Sequence, residues 1–398
     1  MCENSIVELP KQRLDEPDDE FGSSIAISRN NAVVGATGCD SCRGAALVYE
    51  RSTDEDWVQI TQLFPLESYL GDSFGKSIDI DGDIIAVGGN CMVEVGYQMF
   101  PAGCVHVFVR TDSNRWTHEV TLVGDDGVSI PEVSFATSLA IDDGILVVGE
   151  PSGDFQEQGD RSGFIYIYER QNDATWTKVA KIRPSDAQDR DDFGYSLDLD
   201  EGYLVVGAPR RHSGAAYVFS RQLDGTWLER MKLIPHDASE GDSFARSVSI
   251  TQYGTIAVGA IGDDDMGYSS GSVYVYEIDG TGQWVESAKL IPDDGLTSDR
   301  FGASVAIFRE TIVVGAIGVD DQGENSGAVY SFSFDPSTSV WQQTSKIVAP
   351  DGGEKAEFGS DIDVYGTTAL VASFYNAPGL LVGGLVDTGK VYAVNMYC

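Results

Sequence analysis

Residues 193–209 read FGYSLDLDEGYLVVGAP, 213–221 read SGAAYVFSR and 226–235 read TWLERMKLIP. Ser196-Leu197-Asp198-Leu199 alternates apolar with polar, the period of a strand with one buried face. Leu204-Val205-Val206 is a continuous apolar run, expected of a strand buried on both faces. The next run is aromatic and β-branched, and the last opens at Trp227. No helical period interrupts them, so the segment predicts four short strands of ordinary length.

The pattern recurs along the chain. A Phe followed by a small residue stands at Phe21, Phe74, Phe135, Phe193, Phe244, Phe301 and Phe358, and a Trp opens the fourth strand at Trp57, Trp116, Trp176, Trp227, Trp284 and Trp341. The sixth copy shows it again as FGASVAIFRETIVVGAIG, SGAVYSFSF and VWQQTSKIVAP, and Val273-Tyr274-Val275-Tyr276 shows the aromatic third strand of the fifth. Four strands in a repeat of roughly 50–60 residues is the pattern of a propeller blade. The fold predicted is all-β: a seven-bladed β-propeller of four-stranded blades, one domain over residues 1–398, with blades starting near 21, 74, 135, 193, 244, 301 and 358. The seventh copy lacks a Trp strand after Val391-Tyr392-Ala393-Val394. Ile6-Val7-Glu8-Leu9-Pro10 resembles Lys232-Leu233-Ile234-Pro235, so residues 5–10 are expected to complete blade seven and close the ring, leaving no open sheet edge.

These repeats resemble the FG-GAP repeats of the integrin α-chain head and of many secreted microbial and algal proteins. The FG element is intact at Phe21-Gly22, Phe74-Gly75, Phe193-Gly194, Phe301-Gly302 and Phe358-Gly359, and is Phe-Ala at Phe135-Ala136 and Phe244-Ala245. The GA element stands at Gly35-Ala36, Gly207-Ala208, Gly259-Ala260 and Gly315-Ala316, with a full GAP at Pro209. Small residues there let neighbouring blades approach while the Phe fills the wedge between them. The resemblance implies calcium in a DxDxDGxxD loop between the first two strands of some blades. Here that loop is a tight turn, as at Asp81-Gly82-Asp83 and Asp200-Glu201-Gly202. Asp79, Asp81 and Asp83 look like the start of such a loop, but no fourth carboxylate follows, so the family's calcium residues do not carry over.

The chain holds 63 acidic against 26 basic residues, a net charge of −37. Nucleic acid and anionic membrane surfaces are poor partners for such a chain; cations, basic proteins and a saline exterior are compatible with it, as is solubility alone. Acids concentrate in two loop classes. Between the second and third strands lie GDDDMGYSSG and VDDQGENSG, which align Asp264 and Asp265 with Asp320 and Asp321. Between blades lie Asp186, Asp189, Asp191 and Asp192, then Asp237, Glu240 and Asp242, then Asp293, Asp294 and Asp299. Both classes emerge on one face of a propeller, a ring of carboxylates that suits a hard cation such as Ca²⁺. Asp264, Asp265, Asp320 and Asp321 are the candidate metal ligands; the alternative is that these residues only make turns.

Six cysteines sit in three places. Position in the repeat pairs Cys2 with Cys398 across the ring closure, Cys39 with Cys42 in blade one, and Cys91 with Cys104 at the base of a long excursion in blade two. A local bridge suits Cys39 and Cys42 better than zinc, which lacks further ligands, or a redox helix, which is absent. Three bridges imply an oxidising compartment, hence an extracellular or cell-surface chain with its signal peptide removed; MCENSIVELP is not one. No apolar run of about 18 residues suggests a membrane span.

Two of the face loops are apolar. CMVEVGYQMFPAGC carries Met92, Val93, Val95, Tyr97, Met99 and Phe100; NAPGLLVGGLVDTG carries Leu380, Leu381, Val382, Leu385 and Val386. Either they form a contact patch, or they fold over and bury one another or plug the channel. Enzyme signatures fail: GYSSG lacks the strand-to-helix turn of a nucleophile elbow, Gly75-Lys76-Ser77 lacks the upstream Gly of a phosphate loop, and His106, His118, His212 and His236 read as scattered over four blades without partners. The expected function is a non-catalytic extracellular binding or adhesion module, whose partner is another protein or a glycan. A structural subunit of an extracellular filament or coat, in contact with neighbouring subunits, is the second reading, and a propeller hydrolase the third.

Overall fold

A computed structural model describes residues 5–11, 19–38, 43–53, 56–67, 71–95, 98–111, 115–124, 134–153, 161–374 and 389–396, with the side chains of 93–95 and 98–99 excepted. The strands form seven antiparallel four-stranded sheets, paired in chain order within blades one to six. Blade four consists of Leu197–Asp200, Tyr203–Ala208, Ala215–Arg221 and Trp227–Leu233. Leu204, Val205 and Val206 are fully buried, while the alternating first strand buries Leu197 and Leu199 and turns Asp198 and Asp200 toward the next blade. In blades one to six the third and fourth strands slip register at one equivalent place, such as Val218/Phe219 and Val275/Tyr276. This recurring bulge adds local twist to each outer edge.

The ring closes as expected. Ile6–Glu8 pairs with Lys390–Asn395, in the register Ile6↔Val394, Val7↔Ala393 and Glu8↔Tyr392. The Leu9 amide adds a bond to the Val391 carbonyl at 2.8 Å and the Ser5 carbonyl accepts from Asn395 at 3.0 Å. The repeat Phe opens the innermost strand in blades one, five, six and seven. In blades two, three and four that strand begins later, at Ser77, Leu139 and Leu197. Phe74, Phe135 and Phe193 are nonetheless fully or almost fully buried.

The core is divided. Seven apolar clusters each draw from two neighbouring blades; the one between blades three and four joins Ile165 and Ile167 to Phe193, Leu204, Val206 and Tyr217. Each wedge is sealed by backbone contact. A Cβ on Gly35, Gly149, Gly207, Gly259 or Gly315 would fall 2.1–2.3 Å from the carbonyl oxygen of the residue that follows the next blade's Phe. That same carbonyl accepts a serine hydroxyl: Ser24 to Gly75, Ser77 to Ala136, Ser138 to Gly194, Ser196 to Ala245, Ser247 to Gly302 and Ser304 to Gly359, at 2.7–2.9 Å. The small residues of both elements therefore serve backbone-to-backbone approach.

Gly207→Ala places its Cβ 2.3 Å from the Ala245 carbonyl, and is expected to destabilise the chain by about 2–3 kcal/mol in urea unfolding. Gly280→Ala, with open space around it, is the matched control and should change stability by less than about 0.5 kcal/mol. Equal stability of the two variants contradicts the close-approach account.

Candidate functional site

Two polar systems tie the blades together. The first lies on the face formed by the interblade loops and the loops between second and third strands. Tyr217, Tyr274 and Tyr330 stand directly opposite Lys232, Lys289 and Lys346 on the adjacent outermost strand. An Asp from the preceding interblade loop reaches each pair. Asp186 accepts from Tyr217 at 2.8 Å and Lys232 at 2.6 Å; Asp237 from Tyr274 and Lys289, both at 2.8 Å; Asp294 from Tyr330 at 3.0 Å and Lys346 at 2.6 Å. In blade seven the outermost strand is the N-terminal one and puts Glu8 opposite Tyr392, so Lys390 of the third strand supplies the ammonium for Asp351. Burial alone would raise these carboxyls, but the lysines and tyrosines outweigh it and hold all four below their ordinary range.

Blade five extends this latch. Carboxylate oxygens of Asp237, Asp263 and Asp265 lie within 4.8 Å of one another. Oxygen donors so arranged suit a hard cation, and the cation they hold is the ammonium of Lys289, at 2.8, 2.9 and 2.7 Å. Burial opposes the charge on Lys289, and the three carboxylates overcome it. Of the four predicted ligands, only Asp265 joins this group. Asp321 pairs with Lys346 at 2.7 Å, while Asp264 and Asp320 accept from the Ser269 and Asn325 amides of their own turns at 2.7 Å. A calcium ion here would have to displace Lys289.

The second system lines the central channel, where each innermost strand offers unpaired backbone groups. Carboxylates of one blade cap amides of the next. Asp79 accepts from Ile141 at 2.6 Å, Asp198 from Ile250 at 2.8 Å, Asp361 from Ile25 at 2.9 Å and Asp363 from Ile27 at 2.7 Å. At the far turns Asp81 caps Asp143, Asp142 caps Glu201 and Asp200 caps Gln252. The Asp81-Gly82-Asp83 and Asp200-Glu201-Gly202 segments are the tight turns expected. Burial is the main force that pushes Asp361 and Asp200 up to about 6 and Asp363 up to about 7. Asp79 and Asp198 are raised by the same cause.

Blade two departs from its neighbours. Its second and third strands, Ile84–Val95 and Gln98–Arg110, run 12 and 13 residues and stay paired out to Val95↔Gln98. Met92 and Phe100 on this ribbon are half-buried; Tyr97 and the side chains of Val93, Val95 and Met99 lie outside the described residues. So do Leu380, Leu381, Val382, Leu385 and Val386, and Cys2, Cys39, Cys42 and Cys398. Cys91 and Cys104, expected to be bridged, stand instead at the base of the ribbon as free thiols within hydrogen-bond reach of one another. That bond raises Cys104, with burial adding to it, and lowers Cys91.

The histidines are less scattered than the sequence suggested. His106 and His118 share blade two, bridged by Thr121 at 3.0 Å to each, and Cys104 Sγ lies 3.5 Å from His106 Nε2. His236 contacts Glu286 at 2.6 Å. Spacing along the chain hides such pairs because they meet across strands. Burial holds His106 down at about 4 while Cys104 is raised, the opposite of an activated thiolate–imidazolium pair.

The channel carboxylates set a pH dependence. With folded values above the ordinary carboxylate range, they bind protons in the folded chain between about pH 4 and 7 that the unfolded chain has released, so stability falls as pH rises through that window. The latch carboxylates have lowered values; their contribution is present above the ordinary range and is lost as pH falls below about 4. The melting temperature is therefore expected to be higher at pH 5 than at pH 7.5, with Asp363→Asn narrowing the gap by raising the pH 7.5 value. A flat profile, or an unchanged gap in the variant, contradicts this assignment.

The FG-GAP repeat family model matches residues 15–49, 176–219, 227–276, 284–332 and 341–394. Among curated proteins no sequence matches. Similar solved structures include the periplasmic gluconolactonase of Pseudomonas aeruginosa, at 13% identity and TM-score 0.52 over 83% of this chain and 86% of that one. A Lactobacillus plantarum protein matches at 11% identity and TM-score 0.51 over 82% and 85%. At such identities the likeness concerns the fold alone. The matched repeats span more than half of the sequence, the last four each running from the outermost strand of one blade into the third strand of the next, and the chain belongs to the FG-GAP repeat family.

Proposed function

We propose that this chain is a non-catalytic recognition propeller that works outside the cell and binds another protein or a glycan on its loop face. The observation that carries the reading is the ribbon of blade two. Second and third strands elsewhere run five to eight residues. Past Asn90↔Gly103 the two strands of the ribbon continue for about 17 Å at the usual rise per residue. Among the described residues, no third strand pairs with 91–103. A free two-stranded edge with apolar side chains is a ready surface for strand addition or apolar contact. Outside the cell, oxidation of the two thiols at its base would staple the ribbon where it leaves the blade. Calcium belongs to this reading only as an ion that displaces Lys289, so binding is compared with calcium and with chelator.

The test replaces residues 91–102 with an Asn-Gly turn and compares capture of partners from the native source, alongside sedimentation over a range of concentrations. The reading expects a monomer whose melting temperature survives the replacement while capture is lost. Capture that persists contradicts it, and concentration-dependent self-assembly favours the structural-subunit reading instead.

A further inference from the structure

In a chain of net charge −37, the loop-face end of the central channel carries two cations that pair with no carboxylate among the described residues. Lys76 and Arg246 occupy the same place in their repeats, two residues after the Phe of blades two and five. Both line one cavity of about 370 Å³, within the range of roughly 300–1,000 Å³ for small-molecule sites. The Arg246 guanidinium lies over the Tyr195 ring, 4.4 Å from its centroid, and among the described residues makes no ion pair. Lys76 donates to the Asn90 side chain at 3.2 Å and the Phe135 carbonyl at 3.0 Å, both neutral acceptors. Burial lowers Arg246 and brings Lys76 down to about 8. Two partly desolvated cations are costly unless an anion joins them.

The rest of the cavity is polar in the opposite sense. Beyond the serine belt lie Asp79, Asp198, Asp361 and Asp363. Each accepts backbone amides and retains lone pairs for a further donor. The mouth thus offers positively charged donors and the depth offers acceptors. We propose that the channel binds a small polyhydroxylated carboxylate, an acidic sugar, with its carboxylate on Arg246 and its hydroxyls donating to the carboxylates beneath. A guanidinium suits the bidentate carboxylate contact, and Lys76 adds charge from across the channel. The site makes no use of ribbon residues 91–103, so it stands or falls apart from the reading above.

Calorimetric titration at low ionic strength and pH 7 tests it with glucuronate, glucose and propionate as probes. Glucuronate should bind, with glucose and propionate each weaker by about tenfold or more, a difference of about 1.4 kcal/mol. Arg246→Gln should weaken glucuronate by about tenfold, Arg246→Lys by less, and Lys76→Gln by a few fold, with melting temperatures equal to the parent or above it. Absence of glucuronate binding up to about 20 mM, or binding unchanged by Arg246→Gln, overturns the proposal. Propionate as tight as glucuronate also overturns it, since the site would then read charge alone. If Arg246→Gln fails to fold, the Arg246→Lys and Lys76→Gln titrations decide the matter alone.

Discussion

Everything in this ring depends on how closely the backbone of one blade can lie against the next. In five of the seven interfaces the carbonyl after the Phe sits where a Cβ on the neighbouring second-strand glycine would be, and in six it takes a serine hydroxyl. That contact fixes the blade separation, and the separation sets the wedge that the buried Phe fills. Because the core is divided into seven such wedges, no blade owns a complete one. The last interface uses Asp361 in place of serine, accepting from Ile25. Blade seven is also where the chain ends meet.

Two polar layers sit on either side of this contact. Toward the axis, carboxylates satisfy the amides that a propeller's innermost strands would otherwise turn to the channel. On the loop face, Tyr–Asp–Lys groups join consecutive blades across 31 to 52 residues of sequence. A strongly acidic chain is thereby given many of its aspartates fixed work, and the ammonium of Lys289 takes the place a metal would have among Asp237, Asp263 and Asp265. Against that background Lys76 and Arg246, which line the channel cavity and pair with no carboxylate among the described residues, stand apart from the latch lysines.

The architecture was legible because its determinants are local and repeat in phase: Phe, GA, an aromatic third strand, a Trp, and the missing outer strand of the last copy answered by Ile6-Val7-Glu8. The polar sites were not, because they join neighbouring repeats. Lys232 and Asp237 are five residues apart but serve different blades, Lys232 meeting Asp186 and Asp237 meeting Lys289. The recurring Lys-x4-Asp spacing at Lys181–Asp186, Lys232–Asp237, Lys289–Asp294 and Lys346–Asp351 was the signal that could have revealed them. Asp79 reads as a relic of a calcium loop, and its work is instead to hold Ile141 of the next blade. Residues 91–104 read as an apolar loop, although the alternation in Val93-Glu94-Val95 already suited the strand that forms there.

Amide hydrogen exchange at Ile27, Ile141 and Ile250 tests most directly whether the blades are locked by contacts between repeats. These amides lie on innermost strands at the channel, and each is bonded to a carboxylate of the preceding blade. The account predicts that they exchange as slowly as amides inside the sheets, and only as the ring opens globally. Exchange at the rate of exposed edge amides, while the sheet interior stays protected, would contradict it.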